Sequence, residues 1–135
     1  KSKIEIQQTK IQEDIERIIQ RAGQSRNQEQ ETTRLETLRR IRTHLDTSEG
    51  TQRMLEWLFS RFGNGNERSV YQMIDYLMVL LGEGKLPREL TAQFLIKKTN
   101  EKIGSGKKAQ WKMSLPVRNI LSRFVSSYIR EQTEN

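Results

Sequence analysis

Hydrophobic positions are sparse at the start of this chain and dense in its middle. Residues 1–22 carry a thin helical stripe, with Ile4, Ile11, Ile15, Ile18 and Ala22 recurring at spacings of three, four and seven. Gln7, Gln8, Gln12, Gln20 and many charged residues fill the positions between them. Gly23 is a natural stop, and Ser25 with Gln28 three residues later has the form of a capping box. A second helix is predicted from there to about Leu45, with Leu35, Leu38, Ile41 and Leu45 on one face. Each helix has a narrow apolar seam and a wide polar surface. So narrow a seam buries little area, and isolated helices are marginal in water. The arm must therefore lie against the rest of the domain, a copy of itself, or a ligand.

The pattern thickens after residue 46. Asp46, Thr47 and Ser48 are each acceptable N-caps, and Met54, Leu55, Trp57, Leu58, Phe59 and Phe62 then mark a strongly apolar helix. Gly63-Asn64-Gly65 ends it. Trp57, Phe59 and Phe62 read as core rather than as a platform for bases. Val70–Leu81 is the most apolar run, with Gln72 and Asp75 its only strongly polar members. A helix over 67–81 is predicted, capped by Asn66, stopped by Gly82 and covered on most sides. Pro87 is placed for the first turn of the next helix, which Leu90, Phe94, Leu95 and Ile103 bury. The last helix starts near Ser114, with Pro116 in its first turn. Val117, Ile120, Leu121, Phe124, Val125, Tyr128 and Ile129 give it the clearest amphipathic pattern in the chain. No stretch alternates with period two over a strand's length. The expected fold is all-α: a long N-terminal helix-turn-helix arm over 1–46, then a compact four-helix bundle-like domain over 47–135 with a basic C-terminal part.

Composition adds a partner class to this architecture. Of 135 residues, 33% are hydrophobic and 30% charged, which is lean for a compact globule. The net charge of +7 favours an anionic partner, nucleic acid or an acidic surface. Residues 85–135 hold eleven Lys/Arg against four Asp/Glu, and residues 47–84 hold three against five. The arm is nearly balanced, ten against eight, but Arg34, Arg39, Arg40 and Arg42 crowd its second helix. Arginine's planar fork suits phosphate. The end of the fifth helix and the turn after it are basic, with Lys97, Lys98, Lys102, Lys107, Lys108 and Lys112 and one acid, Glu101, among them. Gly104-Ser105-Gly106-Lys107-Lys108 departs from a nucleotide-binding phosphate loop. Glu101 stands where that loop needs glycine, Lys108 where it needs Ser or Thr, and no strand is expected before it. As a flexible basic turn against phosphate backbone it is suitable. These arginines and lysines are the candidate nucleic-acid contacts.

Other chemistry is poorly supported. The chain has no cysteine, and its one histidine, His44, lies in a polar helix beside Arg42 and Asp46. Metal-ligand spacing is absent, and the carboxylates sit in helices without an evident pocket. The expectation is a non-enzyme with no cofactor, no metal and no small-molecule substrate. No apolar run reaches the roughly 18–20 residues that span a bilayer. The last helix has the two faces of an interfacial helix, but docking on the core is the favoured reading. A soluble intracellular protein is expected unless it belongs to a virion.

Asn66-Glu67-Arg68-Ser69-Val70-Tyr71-Gln72 resembles, with one residue inserted, an Asn-Arg-x-x-Tyr-Gln run of the major coat proteins of filamentous and rod-shaped archaeal viruses. Size, basic charge and the order of elements are similar to that family over the whole chain. Twelve Gln, six Asn and the balanced arm depart from it. The resemblance implies helical arms that wrap double-stranded DNA, a helical bundle on the outside, like subunits as homo- or hetero-oligomeric partners, and a place in the virion. The physics beside it agrees, since a coat touches phosphates rather than base edges and works in many copies. The alternatives are a helical interaction or oligomerisation module, and a regulatory DNA- or RNA-binding protein.

Overall fold

A computed structural model of the chain describes residues 3–23 and 28–130, without the side chains of Ile4, Gln28 and Glu29. The expected Ser25–Gln28 capping box and the Ile4 end of the first seam lie outside the described residues. The protein is all-α, with α1 (Lys3–Ala22), α2 (Gln28–Arg42), α3 (Ser48–Leu58), α4 (Glu67–Gly82), α5 (Arg88–Thr99) and α6 (Leu115–Arg123). α3 and α6 each run on as a π-helical segment, Phe59–Gly63 and Phe124–Arg130. A short hairpin, β1 (Lys102–Ile103) and β2 (Gln110–Trp111), stands between α5 and α6. Two compact units are present, Ile19–Pro87 and Lys1–Ile18 with Arg88–Asn135.

In the Ile19–Pro87 unit, α4 forms where its caps predict. The Asn66 side-chain oxygen accepts from the Ser69 amide at 3.0 Å, and the Ser69 hydroxyl donates to the Phe62 carbonyl at 2.6 Å. Met73 to Leu77 are buried without a break, so the helix is covered on most sides. It packs against the π turn that ends α3, with Phe62 and Tyr76 ring centres 5.5 Å apart. Thr47 caps α3, accepting from the Gly50 amide at 3.0 Å.

Leu35 and Trp57, both expected on buried faces, are not where their hydrophobicity alone places them. Leu35 is 53% exposed and Trp57 41%. The inward seam of α2 passes through half-buried Arg34 and buried Leu38 and Ile41, spacings of four and three that leave Leu35 one position to the side; Leu45, also half-buried, lies in the turn beyond the end of α2. On α3 the seam is Thr51, Leu55 and Leu58, and Trp57 is two residues from Leu55, on the far face. Trp57 is therefore not core; the Arg61 guanidinium lies 6.0 Å from its ring.

In the other unit, Ile15 and Ile18 of the α1 stripe are buried and Ile11 is half-buried, while Ile6, off the stripe, is exposed. The Ser127 hydroxyl donates to the Asp14 carboxylate at 3.4 Å. α5 starts directly after Pro87 and packs against α6 and its π extension. Arg88 donates to the carbonyls of Tyr128 and Ile129 at 3.2 and 3.3 Å, so it satisfies oxygens at the helix end. Arg130 pairs with Glu89 at 2.6 Å. Ile103 is 61% exposed rather than buried, because α5 ends at Thr99 and Ile103 belongs to the hairpin. A two-residue strand does precede the Gly104 turn, contrary to expectation; two residues are too few to show a period of two. Among the described residues no helix is long and apolar enough to cross a membrane.

Candidate nucleic-acid interface

The lysine-rich segment is folded by its glycines and its cross-strand register. Gly104 and Gly106 hold φ of 90° and 60°, the left-handed region that glycine enters without penalty. A Cβ on Gly104 would also stand 3.2 Å from the Lys108 carbonyl oxygen. Between the strands, Gly106–Lys108 form one 3₁₀ turn, with the Lys108 amide donating to the Ser105 carbonyl at 3.3 Å. Lys102 pairs with Trp111 and Ile103 with Gln110, and the Lys112 amide donates to the Glu101 carbonyl at 3.0 Å.

This register stacks cations on an aromatic ring. The Lys102 ammonium lies 4.4 Å from the centre of the Trp111 ring and the Arg118 guanidinium carbon 3.6 Å from it. Directly opposed side chains on two strands meet in this way, and a cation over an indole face is stabilised by the ring quadrupole. Arg118 Nε is buried with no hydrogen-bond partner among the described residues, and its guanidinium lies against the indole instead. Trp111 remains 44% exposed. Neither Trp111 nor Arg118 is a sequence candidate. The available signal was a lone tryptophan between Gln110 and Lys112, where no apolar face needs one.

The remaining lysines divide by partner. Lys98 and Lys112 share Glu101 at 3.4 and 4.0 Å, and Lys98 also lies over the Phe94 ring. Lys97, Lys107 and Lys108 are exposed and have no carboxylate partner among the described residues. All six lysines belong to the unit that contains Arg88–Asn135.

The arginine candidates lie on the Ile19–Pro87 unit and are of two kinds. Arg34 donates through Nε and Nη2 to Asp75 at 2.5 and 3.3 Å, and through Nη1 to Glu31 at 3.0 Å. The hydrogen bond to Asp75 is the main cause that raises its pKa further above the usual arginine value. Arg42 holds Glu83 through two hydrogen bonds of 2.9 and 2.5 Å. That contact raises the Arg42 pKa and lowers that of Glu83. Arg34 and Arg42 thus act inside the fold. Arg39 and Arg40 are exposed, with no carboxylate partner among the described residues.

His44 is exposed in the turn after α2. Among the described residues no group of three or more His, Asp or Glu side chains is placed to hold a metal ion. No family model, curated protein or solved structure matches the sequence.

Proposed function

We propose that this protein binds nucleic acid through phosphates, without regard to base sequence, and that its main contact is the last turn of α5 and the hairpin after it. The carrying observation is the set of exposed ammonium groups on Lys97, Lys107 and Lys108, none of them neutralised by a carboxylate among the described residues. Lysine is a compact point charge that meets phosphate without demanding a base pattern. The partly exposed Trp111, with Lys102 and Arg118 against its ring, adds an aromatic face and two cations at the base of the same hairpin.

The specific form of this reading is a coat protein that assembles around double-stranded DNA in a virion. It draws on the sequence resemblance and on the 20-residue first helix with its largely polar surface. Arg39 and Arg40 on α2 are the arm's own candidates for phosphate. If so, the protein should bind duplexes of unrelated sequence equally, and electron micrographs at low salt should show ordered assemblies that need the DNA. A protein that ignores duplex DNA at low salt contradicts the proposal. A helical oligomerisation module is the second reading, favoured by Ile6 and Ile19, which α1 leaves exposed. It predicts dimers without nucleic acid, lost when both isoleucines become aspartate.

A further inference from the structure

The Ile19–Pro87 unit contains a cleft of about 570 Å³ between the end of α1, α2, the π turn after α3 and the start of α4. Its charge is unbalanced. Arg21, Arg34, Arg61 and Arg68 line it against two acids, Glu67 and Asp75. Arg34 is engaged with Asp75. Arg21, Arg61 and Arg68 are exposed and have no carboxylate partner among the described residues. Three cations brought to one concave surface repel one another, so an anion there gains more than it would at any single arginine.

The walls are aromatic as well as cationic. Arg21 lies 5.8 Å from the centre of the Tyr71 ring, and Arg61 lies 5.7 Å from that of Phe62. A lone phosphate would leave most of the cleft empty and would make no use of these rings. Pockets of roughly 300–1,000 Å³ suit a small organic ligand. We infer that the cleft binds a nucleoside phosphate. Its phosphate meets Arg21, Arg61 and Arg68, and its base lies along the wall of Phe62 and Tyr71. The same chemistry is offered by a free nucleotide and by one nucleotide of a single strand. This site does not depend on the duplex-binding proposal, because it shares no residue with the lysine hairpin.

Trp57 reports on it, since the Arg61 guanidinium is 6.0 Å from its ring. Trp111→Phe leaves Trp57 as the sole tryptophan. In that background, deoxyadenosine monophosphate, a short single-stranded oligodeoxyadenylate and inorganic phosphate are titrated while Trp57 emission is followed. The nucleotide should give a saturable change. Arg68→Ala and Arg21→Ala, both at exposed positions, should move its midpoint upward about tenfold or more at unchanged helicity and Tm, as loss of a charge-assisted hydrogen bond does. Lys107→Gln with Lys108→Gln should leave it in place. Tighter binding of the mononucleotide assigns a free nucleotide; tighter binding of the oligomer assigns a strand. The inference is overturned by silence with both nucleotide probes, by midpoints that ignore both arginine substitutions, or by inorganic phosphate that binds as well as the nucleotide.

Discussion

Arg34 on α2 and Asp75 on α4, 41 residues apart, are joined by two hydrogen bonds, and Arg42 and Glu83 repeat the same separation. Equal offsets at both sites mean that α2 and α4 run in the same direction, tied at two levels, with Leu38 and Ile41 buried in the stretch of α2 between them. The two ties differ in burial. Side chains of the Arg34 pair are 15% and 11% exposed, those of the Arg42 pair 35% each. Removing one partner from a buried pair strands a charge, whereas an exposed pair is screened by water. In double-mutant cycles read by urea denaturation, Arg34 and Asp75 should couple by more than about 1 kcal/mol, and Arg42 and Glu83 by less.

The Arg42 tie also gives a pH signature. Its hydrogen bond lowers the Glu83 pKa below the usual 4.5. A carboxyl whose folded pKa is depressed contributes stability that is fully present above its unfolded pKa and lost as pH falls through the folded one. The stability difference between the natural protein and Glu83→Gln should be constant from pH 7 to about 5 and shrink below 4.5. Denaturation midpoints measured across that range check it; a difference that grows on acidification contradicts it.

These ties also mark where sequence reading stops. The boundaries of α4 were legible because Asn66, a long apolar run and Gly82 agree. The seam of α2 was legible only in part, since Leu35 looks like a member and Arg34 does not. What places Arg34 in the seam is Asp75, and no local pattern reveals a partner 41 residues away. The same holds at the candidate interface. The density of lysines was plain, but the stack of Lys102 and Arg118 on Trp111 exists only once two-residue strands have paired. Trp57 failed for the complementary reason: hydrophobicity identifies residues that favour burial, but the helix period decides which of them reach the core.

A direct contrast on α2 tests that register. Leu38 is 1% exposed and Leu35 53%. Leu38→Ala should cost about 2–5 kcal/mol through lost burial and an unfilled cavity. Leu35→Ala should stay within about 0.5 kcal/mol. Thermal or urea denaturation of the two variants decides, and equal losses would refute the seam through Arg34.

Gly50 is a packing position rather than a hinge. A Cβ there would sit 2.0 Å from the His44 carbonyl oxygen, so the turn between α2 and α3 closes tightly on the first turn of α3. Gly50→Ala forces that backbone apart, and an overpacking cost of roughly 1–3 kcal/mol is expected, seen as a lower Tm. Gly82→Ala, with open space around it, should show no such clash cost.

The central claim is that Lys97, Lys107 and Lys108 meet phosphates. Its most direct measurement is duplex affinity as a function of salt. The slope of log affinity against log salt is about −0.9 for each phosphate neutralised on B-DNA. Replacing all three lysines by glutamine should reduce the slope by roughly 2.7 for every copy bound, with the same change on duplexes of unrelated sequence. An unchanged slope, or a change confined to one sequence, would contradict the assignment of these lysines, at the end of α5 and in the hairpin, as the phosphate-binding surface.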